Sequence, residues 1–98
     1  MAKLAQADLD AALRELSGWS VREGALAKTF THGSFPEAIV FVNAVAHLAE
    51  LMNHHPDVDI RYSSITLALV THEQGGITDR DIELARSVEG IRRKAGVP

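Results

Sequence analysis

Glu50-Leu51-Met52-Asn53-His54-His55-Pro56-Asp57-Val58-Asp59-Ile60-Arg61-Tyr62 is the stretch in which the chain changes its hydrophobic period. Before it, Ala38, Phe41, Val42, Val45, Leu48, Ala49 and Met52 recur at helical spacing. After Pro56, Val58, Ile60 and Tyr62 alternate with Asp57, Asp59 and Arg61, which predicts a strand with one buried and one wet face. Proline lacks a backbone N–H and pushes the preceding residue out of the helical region. The helix running from Phe41 through Met52 is therefore predicted to end at about Asn53 or His54. Glu50 lies one turn before His54, on the same helical face. The two adjacent imidazoles then sit at a helix C-terminus, where the dipole favours the protonated form. A carboxylate beside imidazoles at a forced chain break suggests proton handling more than core packing.

The rest of the chain supplies a frame for that join. Leu4 to Leu16 reads as a helix, with Leu9, Ala12, Leu13 and Leu16 on one stripe and Ser17-Gly18 as its stop. Trp19 to Glu23 and Ala25 to Thr31 read as a hairpin around Gly24, with Leu26, Lys28 and Phe30 on one face. Ser34 and Glu37 have capping-box spacing, and Pro36 falls in the first turn of the second helix, where its missing donor does no harm. Ser63-Ser64 is a weak turn, and Ile65, Leu67 and Leu69 alternate along a strand predicted to run to His72. Gly75-Gly76 is a loop. Thr78, with Asp81 three residues on, opens a last helix whose apolar side is Ile82, Ala85, Val88 and Ile91. The order is helix, strand, strand, helix, strand, strand, helix. It predicts an α+β fold: a four-stranded antiparallel sheet with three helices packed on one face.

Composition bounds the function. The 98 residues are 46% hydrophobic and 23% charged, as expected of one small soluble domain, 1–98. A net charge of -3 without a large basic cluster gives no nucleic-acid footprint. Arg92, Arg93 and Lys94 read as partners of a helix C-terminus before an anion site. The absence of cysteine excludes thiolate metal sites and thiol nucleophiles. No apolar run reads as long enough to span a membrane, and no signal peptide is visible, so a cytoplasmic protein is expected. Exposed edge strands in so small a sheet invite pairing between subunits.

Three of the five histidines, His54, His55 and His72, fall near the join or just after the fourth strand. Two imidazoles on different elements can be held in different protonation states, as general acid–base chemistry requires. By spacing alone the plainer account, in which His54 and His55 cap a helix and His72 ends a strand, is favoured. His32 and His47 read as a surface turn residue and a helix residue. Adjacent histidines diverge and rarely share an ion, and His47-x-x-Glu50 reverses the carboxylate-bundle order, so no metal is expected.

Taken together, Glu50-x-x-x-His54-His55-Pro56, Tyr62, Thr71-His72, Gly76 and Thr78-x-x-Asp81 resemble the signature of the pterin-4a-carbinolamine dehydratases. The likeness extends upstream through Leu16-Ser17-Gly18-Trp19 and Phe35-x-x-Ala38-x-x-Phe41 and covers nearly the whole chain. It implies dehydration of a 4a-hydroxytetrahydropterin to quinonoid dihydropterin, supporting tetrahydrobiopterin recycling, with no cofactor. His54 and His72 match the family's acid–base histidines, and His55 a substrate-binding histidine. Glu50 matches a supporting carboxylate. Asn53, Pro56 and the segment Val70, Thr71, His72 and Glu73 match substrate-contacting positions, with Trp19 and Asp81 near the pocket. Such acid–base catalysis supplies ~10² to 10⁴-fold. Leu51 departs from the family, standing where many members carry lysine. The resemblance also implies a homodimer or homotetramer formed by sheet pairing and helix packing. Some relatives act instead as interaction proteins, such as a dimerisation cofactor for a transcription factor, so a protein partner is the competing expectation.

Overall fold

The structure, a computed structural model, describes residues 2–95, with the backbone alone at 95. Its elements are α1 (Gln6–Glu15), β1 (Ser20–Arg22), β2 (Ala25–Thr31), α2 (Phe35–Met52), β3 (Asp57–Arg61), β4 (Ser64–Leu69), a 3-10 turn (His72–Gln74) and α3 (Asp79–Ala95). The four strands form one antiparallel sheet in the order β1-β2-β4-β3. The predicted α+β architecture is the one observed.

The period-two pattern decides which face of the sheet is covered. Leu26 and Phe30 of β2 and Ile65, Leu67 and Leu69 of β4 are 0–1% exposed and point one way. They meet Leu9, Ala12 and Leu16, then Ala38, Phe41 and Val45 of α2, and Ile82, Leu84, Ala85 and Val88 of α3, in one apolar cluster. Burying each large side chain there stabilises the fold by about 1.5–3 kcal/mol. Phe30 stands edge-on to Trp19 at 6.0 Å between ring centroids and tilts against Phe41 at 4.8 Å. The opposite face is open and carries the Thr29 and Thr66 hydroxyls, 2.8 Å apart.

Local chemistry explains most boundaries. Glu23 (φ 51°) and Gly24 (φ 79°) both take the left-handed region, which closes the β1–β2 hairpin in the twist its strands prefer. The Ser34 hydroxyl accepts the Glu37 N–H (3.2 Å), and the Glu37 carboxylate accepts the Gly33 N–H (3.2 Å). Pro36 occupies the first turn of α2 without cost.

Several expectations are corrected. The first hairpin strand begins at Ser20, after Trp19 has turned into the core at 5% exposed. The turn between β3 and β4 is Tyr62-Ser63, with Tyr62 at φ 52° and 75% exposed, not an inward strand residue. Val58 and Ile60 are 40% and 43% exposed, because β3 is an edge strand with a single neighbour in the sheet, β4. Alternation marks the inward side of a strand; it does not supply a neighbour to cover it. The fourth strand ends at Leu69, short of His72. His32 is buried at 8% exposed, its ring 4.9 Å from that of Phe41, because the chain turns inward between β2 and α2.

Helix α2 also departs from the reading that no apolar run could span a membrane. Its 18 residues have a mean hydropathy of 1.3, enough by length and composition. The cause is that it is apolar on two sides. Ala38, Phe41 and Val45 face the core, while Val40 and Leu51 are 68% and 86% exposed.

Candidate active site

The end of α2 is built by the residues quoted at the outset. Asn53 takes the left-handed conformation (φ 49°, ψ 45°), which a short polar side chain tolerates. Its N–H donates to the Glu50 carbonyl (3.2 Å), and that of His54 donates to the Ala49 carbonyl (3.0 Å). These are the two bonds of a Schellman motif, which ends a helix and redirects the chain. The redirection carries His54 inward, to 7% exposed, and leaves His55 outside.

The first turn of α3 provides the floor. Asp81 is 0% exposed. Its Oδ2 accepts the Thr78 N–H at 2.9 Å, the capping-box bond that its spacing predicts, and also the Thr71 hydroxyl at 2.9 Å. Its Oδ1 lies 2.5 Å from His54 Nε2. The Thr71 proton goes to Asp81, so the Thr78 hydroxyl must be the donor across the 2.7 Å Thr71–Thr78 contact. An ionised carboxylate can only accept, which puts a hydrogen on His54 Nε2 and makes Nδ1 the acceptor of the neutral ring.

His72 arrives from the other side. Past β4, Thr71 and Gly76 form an isolated antiparallel bridge, with Thr71 N–H donating to the Gly76 carbonyl at 2.9 Å. The bridge closes a tight turn, held further by Gln74 N–H on the Thr71 carbonyl and Gly75 N–H on the His72 carbonyl, both at 3.0 Å. His72 is exposed at the start of that turn. Asn53, His54, His55, Val70, His72, Glu73 and Arg80 line one open cleft of about 310 Å³. The three histidines singled out by the sequence therefore share a cavity, although 16 residues separate His55 from His72.

The other expected site residues distribute as follows. Thr71 and Asp81 lie behind the cleft, as the hydrogen-bonded support of His54. Glu50 does not pair with His54. Its carboxylate lies 2.8 Å from His55 Nε2, with both side chains well exposed, because the left-handed Asn53 turns His54 away from the face it would share with Glu50. Pro56 is half-buried and does not line the cleft; its part is to end the helix. Trp19 is remote from it, donating its indole N–H to Glu89 Oε2 at 3.1 Å in the core. Arg80 was not anticipated. Its guanidinium Nη2 donates to the Asn53 carbonyl, and it lines the cleft. Nothing in periodicity marks it, and the capping-box pattern Thr78-x-x-Asp81 passes over it. Among the described residues, no group of three or more His, Asp or Glu side chains converges as metal ligands do.

A second buried carboxylate lies elsewhere in the fold. Glu89, 6% exposed, accepts from Trp19 and from Lys28 Nζ (2.9 Å) on Oε2 and from Arg92 Nε (2.8 Å) on Oε1. Burial alone would raise its carboxyl pKa. The hydrogen bonds from Lys28, Arg92 and Trp19, with the charge of Lys28, outweigh burial and hold it below the ordinary value.

The fold thus brings a buried aspartate onto one histidine and sets a second histidine on the wall of the same cleft. Residues 2–91 match the family model described as pterin 4 alpha carbinolamine dehydratase, and the chain belongs to that family. It is 47% identical over 91 residues to a protein of Mycolicibacterium vanbaalenii, covering 93% of this chain and 98% of that one. It is 50% identical over 88 residues to one of Thermomicrobium roseum, covering 90% and 95%. Both relatives are provisionally named pterin-4-alpha-carbinolamine dehydratases. The fold is similar to the crystal structure of a transcriptional coactivator/pterin dehydratase from Brucella melitensis, with a TM-score of 0.86 and 32% identity over 91% of this chain and 97% of that one.

Proposed function

We propose that this protein dehydrates a 4a-hydroxytetrahydropterin to quinonoid dihydropterin, with His54 and His72 as the acid–base pair. The observation that carries the reading is the shared cleft, with His54 anchored on Asp81 on one side and His72 open to solvent on the other. The bond broken is C4a–O, and the hydroxyl leaves as water. His72, in contact with solvent, gives that oxygen its proton. His54, whose tautomer is set by Asp81, takes the N5 proton on Nδ1, and the carboxylate supports the imidazolium that forms. Both protons are then exchanged through water, which restores the starting state. Asn53 and His55 bind the heterocycle, as do Val70, Thr71 and Glu73 through the chain near the end of β4. In this reading Glu50 orients His55 rather than His54.

The test is direct. His54→Ala and His72→Ala should each lower the dehydration rate by about 10² to 10⁴-fold while the protein remains folded. Wild-type rates in both variants would end the proposal.

A second reading has its own support: Val40 and Leu51 stand exposed on α2, and Val58 and Ile60 on β3. These apolar surfaces suit self-association into a dimer or tetramer, or a protein partner. Sedimentation equilibrium of the purified chain distinguishes a monomer from either assembly. A stoichiometric protein partner found together with no pterin binding by calorimetry would favour an interaction protein over the enzyme.

A further inference from the structure

We infer that Arg80 is a positioning residue for the reaction: its guanidinium grips the end of α2 and so sets the placement of His54 and His55. The inference rests on the dehydratase reading for its kinetic consequence, but not for its geometry.

Consecutive residues of α3, Arg80 and Asp81, reach back to consecutive residues of α2's exit, Asn53 and His54. Asp81 holds the imidazole of His54 by Nε2, and Arg80 holds the peptide carbonyl immediately before it. A ring tethered at one nitrogen can still swing about that bond. Fixing the preceding carbonyl narrows that swing, because it fixes the Asn53–His54 peptide plane from which the His54 side chain departs. The need for such a grip is local. Asn53 sits in the left-handed region, which asparagine tolerates and the two Schellman bonds close, and its own carbonyl, past those bonds, is the group that Arg80 takes. Carbonyls at a helix C-terminus also carry partial negative charge, which a guanidinium complements. Arg80 is itself held in place, its N–H donating to the Thr78 hydroxyl at 3.2 Å within the same capping turn that fixes Asp81. One turn of α3 thus orients both the ring and the backbone of the buried histidine. Arg80 also contributes a permanent positive charge to the cleft wall.

The experiment compares Arg80→Ala, Arg80→Lys and wild type by three readouts: kcat and KM for carbinolamine dehydration, the proton NMR titration of His54 in the free protein, and the melting temperature. The expected result for Arg80→Ala is a fall in kcat of about 10- to 100-fold, since a small misplacement of reacting groups costs that much. KM and the melting temperature change little, and the His54 resonances and their titration shift. Added guanidinium ion should restore part of the lost kcat, and Arg80→Lys should retain part of it. A raised KM at unchanged kcat would make Arg80 a substrate-binding group and overturn the inference. Unmoved His54 resonances would overturn it too, as would a lowered melting temperature with both kinetic constants retained. If the wild-type chain does not dehydrate the carbinolamine, the function fails; the NMR comparison, which uses no substrate, still decides the grip.

Discussion

Among the described residues two carboxylates are buried, Asp81 and Glu89, and they are satisfied in opposite ways. Glu89 is surrounded by cations whose charge does not change near neutral pH, Lys28 and Arg92, with the Trp19 indole as a third donor. Asp81 receives neutral hydroxyl and amide donors and one histidine, the only partner of the three that titrates. The Glu89 cluster is closed: its charge is cancelled within the fold, tying α3 to β2. The Asp81 cluster is open: among the described residues no Lys or Arg is hydrogen-bonded to it, and its histidine partner faces a cleft. The difference separates a group that holds structure together from one that can take part in proton transfer, though both are buried acids on the same helix.

The comparison breaks most visibly at Asp81. Asp81→Asn keeps the shape and, with its oxygen on Thr71 and Thr78, the capping geometry, but turns an amide N–H onto His54 Nε2 and so imposes the opposite tautomer. Dehydration is expected to fall by about 10³ to 10⁴-fold, by analogy with the loss of the aspartate in a Ser-His-Asp triad, with stability lowered by only about 1–2 kcal/mol. Stopped-flow kinetics beside urea denaturation checks both numbers. Glu89→Ala should do the reverse. It removes the carboxylate that Lys28, Arg92 and the Trp19 indole share, while Lys28 keeps the Ser17 carbonyl, so unfolding in urea should show a loss of about 1.5–3 kcal/mol. Activity per folded molecule is expected to stay at the wild-type level.

The same contrast can be sharpened by pH. The Glu89 carboxyl is lowered below its ordinary 4.5, so its contribution is fully present above that value and lost as pH falls through the folded-state value. Glu89→Gln should flatten the acid limb of the stability profile below about pH 4.5. His32 supplies a smaller effect in a separate window. Its pKa is lowered from 6.5 by burial, with Glu37 opposing, and its Nε2 has no hydrogen-bond partner among the described residues. The folded state resists protonation, so stability is retained above about pH 6.5 and declines as pH falls below it. His32→Phe should remove that decline, because phenylalanine has no proton to gain, and so stabilise the protein more near pH 5 than near pH 8. Thermal melts at pH 5 and pH 8 would show it; equal shifts at both values would contradict the assignment.

Much of the site could be read before the fold was in view, and the parts that could not share a reason. Pro56 and the adjacent histidines announced where α2 ends, because a missing N–H acts on its immediate neighbours. The Thr78–Asp81 capping box was legible for the same reason. What Asp81 does with its second oxygen was not. That oxygen meets His54 27 residues away, a partner no spacing rule addresses. Glu50 misled for a related reason: helical spacing assigns it to His54 only if the helix continues, and Asn53 turns left-handed first. His72 was expected on a regular strand. The Thr71–Gly76 bridge makes a tight turn of it instead, and that turn aims the ring at the cleft.

Resemblance to a family signature marked the histidines, and composition and short-range pattern were enough to determine the main elements, their order and most of their inward-facing residues. These are local properties, set by backbone sterics, proline and hydrophobic period. The pairing of Asp81 with His54, of Arg80 with Asn53, and of His54 with His72 across one cavity was decided only by the tertiary structure. Each depends on how α2, α3 and the end of β4 converge once the core closes, and packing of that kind is carried by the whole set of apolar contacts rather than by any stretch of chain.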